Sequence, residues 1–256
     1  MNNQTLVLDK GWIELRNTMG SDLEIVADAR TSYLSEDKGE WADRRLLTYL
    51  VRNGHWSPFD QSFMKIRVKM PIMVARQWMR HFSWSFNEQS YRYTEAQDDD
   101  CYLPEIGQWR GVSDDNKQGS SGLVSDDYQS LITSMLQDQY ALDMDHYKYA
   151  LDLGAAREQA RLFLPGFSLY TTLVATASVR SLFFFFKQRC DEHAQWEIRQ
   201  YADALYRLFA IQFPWCAEAY KRYIEPDWRV MYESLTENHD KLQASYKELK
   251  ASIEHS

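Results

Sequence analysis

The stretch QWMRHFSWSFNEQSYRY, residues 77–93, stands apart from the rest of the chain. It sets Arg80, His81, Asn87, Glu88, Ser90 and Arg92 within thirteen residues and interleaves them with Phe82, Trp84, Phe86 and Tyr91. A solvated polar loop is one reading. The alternation favours another, a groove that holds a flat ring, in which arginines bind phosphate bidentately while aromatics and amides address the ring. Immediately upstream the chain spells out what carries this segment. Met64, Ile66, Val68 and Met70 alternate with Lys65, Arg67 and Lys69 over residues 63–70, the pattern of a strand with one buried face. Pro71 suits the first position of a helix running from Ile72 to about Met79. The segment therefore follows a strand and a short helix.

Further upstream, residues 22–34 and 40–53 carry apolar residues at helical spacing, and Gly54 stops the second run. The first third reads as mixed α/β. Downstream, residues 95–125 hold five aspartates and four of the ten glycines, which predicts a long loop. Beyond it the pattern is helical almost to the end: residues 126–153 up to Gly154, about 155–163 up to Pro165, and roughly 170–212 up to Pro214, with a break near Ser178. From Trp228 onward, Leu235, Leu242 and Leu249 recur every seven residues with Tyr232, His239, Tyr246 and Ile253 between them. This short heptad seam would pack on the body of the protein or on a sister subunit. There is no internal repeat or interdomain linker, so the chain divides into residues 1–224 and a C-terminal helical extension, 225–256.

With 256 residues the chain can bury a large core. The 29 basic and 37 acidic residues leave a net charge of −8, which disfavours a nucleic-acid polymer as partner; a single nucleotide needs only a few local arginines. The longest wholly apolar run, Leu182–Phe186, is far short of the roughly 20 residues of a membrane helix, so no membrane partner is expected. No secretory signal opens the chain, and Cys101, Cys190 and Cys216 are odd in number and widely spaced, so a reducing cytoplasm is expected. The sequence has no G-x-G-x-x-G, P-loop or G-x-S-x-G motif. Cys190 and His193 have C-x-x-H spacing but lack a second Cys/His pair, so no metal is expected.

A second cluster lies in the helical part. Arg157 and Arg161 would share one helix face, and Arg189, His193 and Glu197 another, with Arg180 nine residues before Arg189. An exposed salt-bridge ladder competes with an anion site here. The run Phe183–Phe186 favours the latter, because a helix apolar nearly all round is buried and its arginines then need a specific partner.

These residues resemble the flavin-dependent thymidylate synthase family, whose signature is R-H-R-x-x-S-x-N-E-x-S-x-R-Y. Arg80, His81, Ser85, Asn87, Glu88, Ser90, Arg92 and Tyr93 match eight of its nine fixed positions, and Phe82 stands in place of the third, an Arg. The likeness spans most of residues 10–220, including MGSDLEIVADARTSY, GHWSPFDQ, PIMVARQW, NKQGSSG, AREQARLFLP and SVRSLFFFFKQRCDEHAQWEIRQYA; it does not cover the tail. It implies an α+β subunit, a homotetramer with shared active sites, and methylation of dUMP at C5 to dTMP. Methylenetetrahydrofolate gives the carbon, FAD reduces it, and NADPH recharges FAD. No cysteine nucleophile is implied, and none of the three cysteines sits in a nucleophile motif.

By resemblance, Gln77, Arg80, Glu88, Gln89, Ser90, Tyr91, Arg92, Arg161 and Arg189 form the nucleotide side. Arg92 and Arg161 would hold the phosphate, and Arg189 would be the catalytic residue that stabilises negative charge on uracil N3 and O4. The flavin side would be Ser32, Ser57, Arg80, His81, Phe82, Glu88, Ser178, Arg180, Phe184 and His193. The departures cluster there: Phe82 for Arg, Ser178 for Asn, Phe184 for Asn and Gln61 for His. Tyr91, where the family has Gly or Ala, is the one oddity on the nucleotide side. Uridylate binding with altered cofactor handling is the expectation. The alternatives are a divergent relative that methylates or hydroxymethylates UMP or dUMP, and a non-catalytic nucleotide-binding homologue.

Overall fold

The computed structural model describes residues 4–32, 39–98, 100–113 and 119–225. Five strands form one antiparallel sheet in the order β1 (Gln4–Val7), β2 (Gly11–Met19), β3 (Phe63–Pro71), β7 (Tyr170–Ser178), β4 (Ser85–Glu88). The long pair β3 and β7 is the spine, in register from Phe63 opposite Ser178 to Pro71 opposite Tyr170. Met64, Ile66, Val68 and Met70 of β3 and Leu173, Ala175 and Ala177 of β7 are all buried, as period-2 alternation demands. Helices α6 (Val179–Arg189), α7 (Trp196–Gln212) and α8 (Pro214–Tyr223) supply Phe183, Phe185, Phe186, Tyr201, Phe209, Phe213 and Tyr220 to the same core. Helices α1 (Asp22–Thr31), α2 (Glu40–Arg52) and α3 (Ile72–Trp78) complete it. A second, smaller core forms where Tyr140, Met144 and Tyr147 of α4 (Asp126–Asp152) meet Tyr91, Cys101, Ala160, Leu164 and Leu169.

The strand at 63–70 and the helices at 22–34, 40–53 and 126–153 form close to their predicted limits, with Gly54 and Gly154 in the left-handed region at φ +67° and +90°, where chains leave helices. Several expectations need correction. The predicted helix over 170–212 is three elements: the interior strand β7, then α6, then α7, with residues 190–195 between the helices. The sequence YTTLVATAS is rich in β-branched residues, and both its edges are hydrogen-bonded, to β3 and β4. It is therefore covered enough to lose a clean polar alternation. Consequently Arg189 ends α6 while Glu197 opens α7, and Arg189, His193 and Glu197 share no helix face. Pro214 ends α7 but also begins α8. Pro71 closes β3 and precedes α3 instead of entering it. Residues 157–163 form one α turn, α5 (Arg157–Ala160), and a 3₁₀ turn from Arg161 to Phe163. The loop at 95–125 contains a small hairpin, β5 (Arg110–Val112) with β6 (Ser120–Leu123). The β1–β2 hairpin and the edge strand β4 were not anticipated. The heptad tail and part of NKQGSSG lie outside the described residues. Among the described residues, no helix is long and apolar enough to cross a membrane.

Candidate functional site

Beside β7, the chain that leaves β4 turns across the segment 161–171 and leaves a cleft of about 340 Å³ between them. Glu88, Gln89, Ser90, Tyr91 and Arg161, all predicted for the nucleotide, line it together with Thr171 and Ile72. Main-chain bonding holds this wall: Gln89 N donates to Thr172 O at 2.9 Å, and Tyr93 N to Ser90 O at 3.0 Å. Thr171 donates its hydroxyl to Glu88 at 2.8 Å, and the buried Tyr91 donates to Tyr170 O. Tyr91 thus acts as a strut between the signature turn and β7, which explains a large residue at that position. Burial pushes its phenol pKa up, so it remains a donor.

Arg161 of the cleft and Arg92, next in the chain after Tyr91, share one neighbour. Arg161 Nε donates to the Glu158 carbonyl at 3.2 Å, and Arg92 pairs with the Glu158 carboxylate at 3.4 Å; both arginines are exposed. Arg157 instead turns to Glu95 at 2.7 Å, an exposed salt bridge.

A second group assembles where α3 and α6 end. Arg189 donates through Nε to His81 Nε2 at 3.1 Å and through Nη2 to the Gln77 carbonyl at 3.3 Å. Burial, and then the neighbouring guanidinium, lower the His81 pKa to about 4, so at neutral pH its ring is uncharged and Nε2 is free to accept. Burial also lowers the Arg189 pKa, but a guanidinium stays protonated. His81 packs against Phe185 at 5.0 Å, which fixes the ring that fixes the fork. Arg80 and Phe82 beside it are exposed, Phe82 to 93%.

A third group sits at the other end of α6, about 16 Å from Arg189 for eleven residues of helix. Ser178 caps the helix, accepting from Ser181 N at 3.3 Å and donating to Asp60 at 2.9 Å. Asp60 also takes Arg180 at 2.9 Å, and Arg180 lies over Phe184, whose ring packs against Trp56. The Ser178 hydroxyl is thus occupied within the protein. Of the Phe183–Phe186 run, three rings are buried and Phe184 is 42% exposed on this side. Ser57 is exposed nearby in the 3₁₀ turn, Ser32 is exposed after α1, and His193 is exposed with its ring on Asp191 at 2.9 Å. Sequence reasoning missed Thr171, Asp60, Trp56 and Gln195, and it placed Glu197 on a helix face with Arg189 that the two do not share. Asp60 and Trp56 stand in the quoted segment GHWSPFDQ, which was the available signal. Thr171 was hidden by the helical misreading of β7. All three cysteines are shielded, with burial raising Cys101 to about 11 and Cys190 and Cys216 well up, so none is a ready thiolate. Among the described residues no three His, Cys, Asp or Glu side chains converge on a metal position.

The antiparallel α+β fold thus carries beside β7 a cleft lined by arginine, amide and hydroxyl groups, chemistry that suits a small polar anion. Comparison with known proteins narrows this. A family model described as thymidylate synthase complementing protein matches residues 14–215. The flavin-dependent thymidylate synthase of Thermotoga neapolitana is 42% identical over 220 residues, 85% of this chain and 94% of that one. The enzyme of the same description from Thermus thermophilus is 39% identical over 85% and 78%. Among solved structures, a UMP/dUMP methylase PolB from Streptomyces cacaoi bound with 5-Br dUMP superposes with a TM-score of 0.75 at 33% identity, covering 85% of this chain and 98% of that one. The same methylase bound with 5-Br UMP gives the same TM-score at 31% identity. The chain belongs to the thymidylate synthase complementing protein family.

Proposed function

We propose that this protein is a flavin-dependent methyltransferase acting at C5 of a uridine monophosphate, in the simplest case dUMP to dTMP. Methylenetetrahydrofolate would supply the carbon and NADPH the reducing equivalents. The observation that carries this is the convergence of Glu88, Gln89, Ser90, Tyr91 and Arg161 on one cleft, with Arg189 held by His81 of the signature and by Gln77 just before it. In this reading Arg92 and Arg161 exchange their bonds to Glu158 for a phosphate, a gain because a phosphate accepts bidentate forks. Ser90 and Gln89 offer further hydrogen bonds to the nucleotide. Arg189, oriented by His81, which accepts through Nε2, presents its remaining N–H groups to uracil as negative charge develops on O4, making C5 nucleophilic. The absence of a ready thiolate supports attack without covalent capture by cysteine.

The residues present fit a flavin in part. Phe82, Phe184 and Trp56 offer ring faces and Arg180 a cation, whereas Ser178 spends its hydroxyl on Asp60. FAD, when bound, supplies the electrons that turn the transferred methylene into methyl. We further propose a cytoplasmic homotetramer in which residues 1–224 form the catalytic unit and 225–256 an extension. A second reading, methylation of UMP as well as dUMP, is favoured by the likeness to a UMP/dUMP methylase. Incubating the protein with FAD, NADPH, methylenetetrahydrofolate and either nucleotide, then reading product mass, tests both: a gain of one CH₂ unit is expected. A gain of CH₂O would mean hydroxymethylation, and no change with either nucleotide, in protein shown to hold FAD, would defeat the proposal.

A further inference from the structure

Four hydrogen bonds run from a buried carboxylate to the edge of the site. Glu197, only 3% exposed, holds Arg110 on Oε1 and receives Gln195 Nε2 on Oε2 at 2.8 Å. Gln195 Oε1 accepts from Gln77 Nε2, and the backbone carbonyl of Gln77 accepts from Arg189 at 3.3 Å. A carboxylate only accepts, so it dictates the direction of every amide after it. Gln195 must turn its NH₂ to Glu197 and its carbonyl to Gln77, and Gln77 must turn its own NH₂ back to Gln195. Reversing either amide sets two carbonyls or two NH₂ groups face to face. What remains is Gln77 Oε1, which accepts no hydrogen bond among the described residues.

Resting on the uridylate reading above, we propose that Glu197 is a positioning residue that sets the polarity of this relay. Gln77 then meets the nucleotide with an acceptor, and the site selects uracil over cytosine. Uracil carries a donor at N3, whereas cytosine presents a lone pair there, so the free carbonyl of Gln77 matches the first and repels the second. Arg189, which can only donate, discriminates in the same sense at position 4, where uracil has a carbonyl and cytosine an amino group. Hydrogen-bonding sites reject an analogue that lacks the matching group far more strongly than apolar pockets do.

Binding of dUMP and dCMP to the full chain, measured by calorimetry, tests this. Glu197→Gln removes the fixed direction at nearly constant shape. Its dUMP affinity should fall about tenfold, the worth of one hydrogen bond, while dCMP affinity holds or rises, narrowing the preference. Glu197→Asp and Arg110→Met, which keep the carboxylate, should retain the preference. Gln195→Leu, at an exposed position, should narrow it without threatening the fold. An unchanged preference in Glu197→Gln or Gln195→Leu would overturn the proposal. So would an equal loss for both nucleotides with a lowered Tm, the mark of a merely structural role, or a loss in Arg110→Met as large as in Glu197→Gln. Failure of the unaltered protein to bind dUMP at all would take down the uridylate reading itself, and this inference with it.

Discussion

Arg189 is the residue on which turnover should depend most. Its guanidinium is the cation fixed by both His81 and Gln77, and a charge formed on uracil would lose its donor if it were removed. Arg189→Ala is expected to lower turnover by 10²-fold or more, as for other oxyanion donors, with the circular dichroism spectrum unchanged. Lys should rescue poorly, because a point charge lacks the fork. Retention of more than about a tenth of the turnover would remove this role. His81 adds a pH signature. Its folded pKa of about 4 lies below the ordinary 6.5, so the unfolded chain takes up the proton first as pH falls. This contribution to stability is complete above about 6.5 and is lost progressively toward 4. Thermal melts across that window should show a decline that is shallower in His81→Gln, and Arg189→Ala, which relieves the repulsion, should shift it. At the flavin side, Phe82 is exposed enough to accept Arg without a clash, and Asn can replace Ser178 as a helix cap. The double reversion Phe82→Arg with Ser178→Asn should tighten FAD by about 1–2 kcal/mol and leave dUMP affinity nearly unchanged. Equal effects on both ligands, measured by titration, would show a pocket rebuilt for another group.

At the scale of elements, β7 carries the architecture: it pairs with β3 along nine positions and with β4 along four, so it connects the core to the signature edge. Leu173 on this strand is fully buried, and Leu173→Ala should cost about 2–5 kcal/mol in urea denaturation. Leu142→Ala on the half-exposed face of α4 should cost no more than about 0.5 kcal/mol. Comparable losses would mean that the α4 face is covered in solution. The helical reading of residues 170–178 failed because a strand hydrogen-bonded on both edges and half-covered on its second face presents no clean alternation, and a short apolar run fits either period. Ser178, read as a break, is where strand becomes helix, and its cap hydrogen bond is the local cause.

For the whole molecule, the three site groups stay apart: the cleft at Glu88 and Arg161, the Arg189–His81 pair, and the Asp60–Arg180 cap. Around them Phe82, Leu162 and Phe167 are exposed to 93%, 82% and 69%. Isolated apolar side chains are ordinary at a surface, but several beside a polar cleft suit an interface. A tetramer is the expected species in sedimentation. Arg92→Ala and Arg189→Ala proteins, each inactive alone, should regain part of the activity when mixed under subunit exchange. A monomer that turns over would end the shared-site proposal, as would a mixture with no recovery despite proven exchange.

The sequence alone determined the family through the spacing of Arg80, His81, Ser85, Asn87, Glu88, Ser90, Arg92 and Tyr93, because short-range spacing is written directly in the chain. It also determined the β3 strand and the long α4 helix, whose periods are regular. Only the tertiary structure decided that β7 is an interior strand, that Tyr91 braces the signature turn on Tyr170, and that Glu197 lies in a relay ending at Gln77, 120 residues earlier in the chain by number. These are consequences of which surfaces become buried together. Burial turns a common glutamate or histidine into one with a fixed direction or a shifted proton, and no window of neighbouring residues contains that information.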